Sequence, residues 1–171
     1  MNGKNKELEN TYPLGQKTNP GELQGEVKIL REEFDVVAAF ENADDVMGFI
    51  KSLSQIDLQF LEQPMPSHKV EEYKKLKNLS PIPIIADESL QSGLIDESFK
   101  EQFHGINVKL MKAGSYLRAI EQIRQAKKMG LKVMLGCMVE TSLAIGSAYS
   151  IGENVDWFDL DGFLFFKEDP F

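Results

Sequence analysis

Apolar residues along this chain fall into short runs that alternate with longer amphipathic stretches. Val27, Ile29, Leu30 and Phe34 mark a short first helix, and Phe34 to Ala39 reads as a buried strand. Asn42 to Ser54 repeats Val46, Phe49, Ile50 and Leu53 at helical spacing, with Asn42 suited to cap it. Leu58 to Leu61 then predicts a strand ending at Glu62-Gln63-Pro64. The cycle repeats with a helix over Val70 to Leu79 and a strand over Ile82 to Ala86, closed by Asp87-Glu88. A short helix over Asp96 to Phe103 precedes a strand from Gly105 to Leu110. Ser115 caps a long helix to Met129 that Gly130 stops. Lys132 to Leu135 is a strand, Leu143 to Ile151 a helix and Trp157 to Leu160 a last strand.

Strand–helix units in this order call for a parallel sheet, because parallel neighbours need a crossover between them. The fold class expected is therefore α/β with a parallel sheet, of which a (β/α) barrel of the TIM type is one form. Residues 1–25, with Tyr12-Pro13-Leu14-Gly15 and Pro20-Gly21, are rich in turn formers and lack periodicity, so they read as an irregular or disordered arm. Residues 26–171 read as the barrel domain.

Composition narrows the class. With 171 residues, 42% of them hydrophobic, the chain can bury one sizeable core and is not a disordered polymer. It is nevertheless short for a complete barrel, which takes about 250 residues. An excess of 27 Asp and Glu over 19 Lys and Arg gives a net charge of -8 and argues against nucleic acid or an anionic membrane as partner. One cysteine cannot form an internal disulfide. The first ten residues are polar, and no apolar run approaches a membrane span. A cytoplasmic setting is the expectation.

The charged residues gather at the ends of strands that otherwise read as buried: Glu62, Asp87-Glu88, Lys109, and Asp159 with Asp161. In a parallel barrel all strand C-termini open on one face, and that face carries the active site. Glu62 and Asp87 are hard oxygen donors suited to Mg²⁺. Lys109, in an apolar strand beside such a cation, would have a lowered pKa and could act as a base. Each residue also has a plainer reading: a carboxylate at a strand end as a helix cap or solvated loop residue, and Lys109 as a snorkelling side chain. Glu140 is open in the same way, as a cap of the helix that follows or as a site carboxylate.

Phe60-Leu61-Glu62-Gln63-Pro64, Ile84-Ile85-Ala86-Asp87-Glu88-Ser89 and Asn107-Val108-Lys109-Leu110-Met111-Lys112-Ala113-Gly114 resemble successive signatures of the enolase superfamily, in its muconate-lactonizing subgroup. Gly136-Cys137-Met138-Val139-Glu140-Thr141-Ser142 and Asp159-Leu160-Asp161-Gly162 resemble the dipeptide epimerases within it, of the L-Ala-D/L-Glu type. The resemblance spans roughly Asn42 to Phe171. It implies that Glu62 and Asp87 are two of three carboxylate ligands to Mg²⁺. Lys109 would be the acid/base at the proton alpha to a substrate carboxylate, with the metal stabilising the enediolate. Asp159 and Asp161 would bind the ammonium group of a dipeptide, with Glu140 near the metal and lysine. A muconate cycloisomerase or o-succinylbenzoate synthase relative is the alternative within the superfamily; a non-catalytic barrel fragment or pseudoenzyme is the alternative outside it.

Two parts of the family pattern have no counterpart. The third ligand belongs to a motif like Asp-Ala-Asn on the preceding strand, where this chain reads Phe34-Asp35-Val36-Val37-Ala38-Ala39-Phe40. Asp35 stands at nearly the right distance before Glu62, without the Asn, and is the one candidate for that third metal ligand. Nothing matches the Lys-x-Lys strand that supplies a second base, nor the capping domain that closes over substrate. The resemblance thus implies a partial (β/α) barrel of the TIM type, the C-terminal barrel half of such an enzyme truncated at both ends. Little or no epimerisation is expected of it alone. A half-barrel with open sheet edges and exposed apolar faces is also expected to self-associate.

Overall fold

The computed structural model describes residues 40–171. The irregular arm at 1–25, the first helix and strand, and Asp35 all lie outside the described residues.

Local chemistry sets the helix starts. Asn42 accepts the N–H of Asp45 and opens α1 (Ala43–Ser52), whose Val46 and Ile50 are buried one turn apart. After β1 (Leu61–Glu62), α2 (Val70–Leu79) buries Tyr73 and Leu76. β2 (Ile84–Ala86) leads to α3 (Glu97–Gln102), capped by the Asp96 carboxylate on the N–H of Ser98. β3 (Gly105–Lys109) runs directly into a single helical turn, α4 (Leu110–Ala113). Ser115 accepts the N–H of Arg118 and starts α5 (Tyr116–Lys128), which buries Ala119, Gln122, Ile123 and Ala126 along one stripe. Gly130, at φ 77°, turns the chain back toward the sheet as expected. β4 (Lys132–Gly136), α6 (Ser142–Tyr149), β5 (Trp157–Asp159) and a 3-10 turn at Gly162–Phe165 complete the described chain.

The described strands form one parallel sheet in the order β1-β2-β3-β4-β5, with a helical crossover between each pair. Alternation along each strand separates two cores. Leu61, Ile84, Ala86, Ile106, Val108, Val133 and Leu135 point outward and pack with Val46, Tyr73, Leu76, Ala119 and Ile123 of the helices. Phe60, Ile85 and Met134 point inward and pack with Trp157. The Phe60 and Trp157 rings lie 5.0 Å apart, so residues at the first and fifth strands meet across the concave side. The sheet is therefore curled, and the architecture is an α/β half-barrel.

Three expectations need correction. The strand predicted at Leu58 to Leu61 begins only at Leu61, whose N–H reaches the carbonyl of Pro83, the residue before β2, at 2.9 Å. Residues 110–113 form a helical turn that the pattern did not announce. The last strand is not buried: Phe158 is 44% exposed, since β5 pairs with β4 alone among the described strands.

Candidate active site

The C-terminal ends of β1, β2 and β3 place Glu62, Asp87 and Lys109 at the same rim of the sheet, and all three are buried. Asp87 lies between two ammonium groups. Its Oδ2 receives Lys109 Nζ at 2.7 Å and its Oδ1 receives Lys112 Nζ at 2.6 Å. Burial pushes the Asp87 carboxyl up, but the two lysines outweigh it and hold the group below the usual carboxylate range. Glu88 goes the other way: burial raises it, and the charge of Asp87 raises it further.

Glu62 is held by Asn107, whose Nδ2 donates to its Oε1 at 2.6 Å. Asn107 and Lys109 are two residues apart on β3 and so share its concave face. Room for Asn107 comes from β4: a Cβ at Gly136 would stand 2.4 Å from Asn107 Oδ1. Any side chain at Gly136 would displace the residue that orients Glu62.

The sheet register puts Lys109 beside Gly136, and Gly136 beside Asp159. Asp159 thus occupies the same level of the sheet as Lys109, two strands away. Asp159, Asp161 and Glu140 all act electrostatically on Cys137, whose thiol is raised first by burial and then by these charges. The predicted residues therefore fall into two groups on one rim: Glu62, Asp87 and Lys109 over β1–β3, and Glu140, Asp159 and Asp161 around Cys137 after β4 and β5. Asp161 is exposed and begins the 3-10 turn. Glu140 does not cap α6. Its Oε1 accepts the N–H of Met138 within its own loop, at 2.9 Å. The first turn of α6 is instead served by Asp169, which accepts the N–H of Ser142 at 2.7 Å.

Lys112, Asn107 and Gln63 escaped the sequence reading as site residues. Asn107 could have been found from its two-residue spacing to Lys109. Lys112 reaches Asp87 only because α4 follows β3 at once, and no pattern signalled that turn.

Two carboxylates on adjacent strand ends suit a hard divalent cation, which accepts one or two protein carboxylates and completes its shell with water and substrate oxygens. Both oxygens of Asp87 are already engaged by lysine Nζ groups. Glu88 Oε2, beside Asp87 in sequence, is buried without a hydrogen-bond partner among the described residues. Among those residues, no three His, Cys, Asp or Glu side chains are placed to hold a metal together. No helix among them is long and apolar enough to cross a membrane.

Comparison with known proteins shows the family and the fold. Residues 25–159 match the family described as enolase C-terminal domain-like. The L-Ala-D/L-amino acid epimerase of Pedosphaera parvula is 41% identical over 139 residues, covering 80% of this chain and 40% of that protein. The L-Ala-D/L-Glu epimerase of Bacteroides thetaiotaomicron is 36% identical over 137 residues, covering 80% of this chain and 36% of its own length. Among solved structures, the substrate-liganded L-Ala-D/L-Glu epimerase from Bacillus subtilis superposes with a TM-score of 0.67 at 28% identity, over 75% of this chain and 38% of that one. The chain spans about two fifths of the length of the curated relatives it matches.

Proposed function

The chain belongs to the enolase C-terminal domain-like family, and from that premise we propose that it is the barrel portion of a dipeptide epimerase of the L-Ala-D/L-Glu type, acting through a proton alpha to a carboxylate. The observation that carries this reading is the buried set at one strand rim: Glu62 held by Asn107, and Asp87 between Lys109 and Lys112.

In this reading Glu62 and Asp87 hold Mg²⁺. When bound, the cation supplies charge compensation for a substrate carboxylate as its alpha proton leaves. Lys109 would take that proton at Nζ as the neutral amine, having first given up a proton of its own to solvent, and return it from the ammonium form. Its backbone is fixed in the middle of the sheet, between β2 and β4, so the amine is aimed with little freedom. Asn107 fixes the orientation of Glu62. Asp159 and Asp161 receive the ammonium group of the dipeptide, and Glu140 lines the same end of the substrate. The relatives named as epimerases of L-Ala-D/L-Glu and L-Ala-D/L-amino acid substrates support this substrate class.

A lysine working on one face exchanges the alpha proton with solvent and leaves the configuration unchanged. The test is proton NMR of L-Ala-L-Glu with this chain and Mg²⁺ in deuterated buffer. Slow, Mg²⁺-dependent loss of the glutamyl alpha-proton signal is expected, and Lys109→Ala should abolish it. A wild-type chain that exchanges no alpha proton would overturn the reading.

A further inference from the structure

Gln63 follows Glu62 directly, yet its side chain leaves the concave face and is fully buried. Its backbone sits at φ 38°, the left-handed region that residues with side chains seldom enter. The carboxamide spans three parts of the fold. Its Oε1 accepts the backbone N–H of Asp87 at 2.9 Å and of Ser89 at 3.0 Å. Its Nε2 faces Tyr73 Oη at 2.7 Å, Ser89 Oγ at 2.9 Å and Met65 O at 3.2 Å. Two donors meeting the oxygen and three acceptors meeting the nitrogen fix which way the amide points. Tyr73 is itself locked, because its hydroxyl accepts the N–H of Met65 and donates to Met65 O.

We infer that Gln63 is a positioning residue that sets the Asp87 carboxylate against Glu62, by holding the backbone N–H groups of Asp87 and Ser89 on its carboxamide oxygen. The inference rests on the reading of Glu62 and Asp87 as a cation-holding pair. Asp87 lies just past the end of β2, where ladder hydrogen bonds no longer fix the chain. Gln63 supplies the missing anchor from the neighbouring strand. One residue, by its turn of backbone, thus links the end of β1 to the carboxylate after β2.

The test uses the full chain with Gln63→Met, which keeps length and removes both amide functions, and with Ser89→Ala, which removes one acceptor of Nε2. Amide hydrogen exchange is followed by NMR at Asp87 and Ser89, with the β3–β4 ladder as internal reference, and Mg²⁺ affinity is measured by calorimetry. In Gln63→Met the two amides should exchange about tenfold faster relative to the ladder, and Mg²⁺ should bind roughly 10- to 100-fold more weakly. Ser89→Ala should show a smaller change at the same two amides, and it carries the test if Gln63→Met does not fold. Exchange at Asp87 and Ser89 that rises only in step with the ladder would overturn the inference, as would unchanged Mg²⁺ affinity alongside faster exchange. A wild-type chain that binds no Mg²⁺ overturns the metal reading instead, and the exchange ratio then decides the anchoring role of Gln63 on its own.

Discussion

At the scale of single residues, Asp87 and its two lysines set the electrostatics of the rim. Each carboxylate oxygen has its own ammonium, so losing one lysine leaves the other in place. Lys109→Met and Lys112→Met should therefore each be tolerated. The double variant strands a buried carboxylate and should cost about 3–5 kcal/mol, more than the sum of the single changes, in denaturant unfolding. Gly136 gives a second cycle. Gly136→Ala forces its methyl onto Asn107 and should destabilise the chain by about 1–3 kcal/mol. Adding Asn107→Ala should recover part of that loss, because the clash disappears. Glu62, Asp87 and Lys109 were legible in the sequence because each ends an apolar run. Lys112 and Gln63 were not, because their partners stand 25 and 24 residues away and are reached only through folding.

At the scale of elements, what is decided locally was readable and what is decided by pairing was not. Asn42 and Ser115, expected as caps, each accept an N–H three residues ahead, and Asp96, read as the first helical residue, caps α3 in the same local way by accepting one two residues ahead. The start of β1 depends instead on where β2 offers a carbonyl, and Leu58 to Phe60 pass that point unpaired to β2 despite their apolar pattern. The turn α4 closes at Gly114, which adopts φ 77°. His104 ties β2 to the entry of β3: its Nδ1 accepts the N–H of Ile84 at 3.1 Å, and its own N–H returns to Ile84 O at 2.8 Å. Burial lowers the imidazole below its ordinary 6.5, and the charge of Lys77 lowers it further. Neutral His104 is thus favoured in the folded state. Its contribution is present above 6.5 and lost as pH falls through the lower folded value. The stability advantage of wild type over His104→Ala should shrink as pH falls below about 6.5, and thermal unfolding at neutral and mildly acidic pH checks it.

At the scale of the whole molecule, alternation of side chains along the strands accounts for both cores and for the rim. Odd and even positions of β2, β3 and β4 divide between helix-facing and concave residues, and the concave set ends upward in Asn107, Lys109 and Gly136. The parallel α/β half-barrel was legible because this division needs only a period of two and a crossover helix. The curl follows from the same barrel reading, and contacts such as Phe60 with Trp157 between distant strands carry it. Exposed Leu143, Tyr149, Phe158, Leu164 and Phe165 leave apolar surface on the β5 side, where the described sheet stops. In the proposed reading this rim holds a divalent cation between β1 and β2. The most direct test is calorimetric titration of the chain with Mg²⁺, against Glu62→Gln and Asp87→Asn. Measurable binding by wild type, strongly reduced in both variants, is the predicted result. Heats that are the same for all three chains would contradict the account.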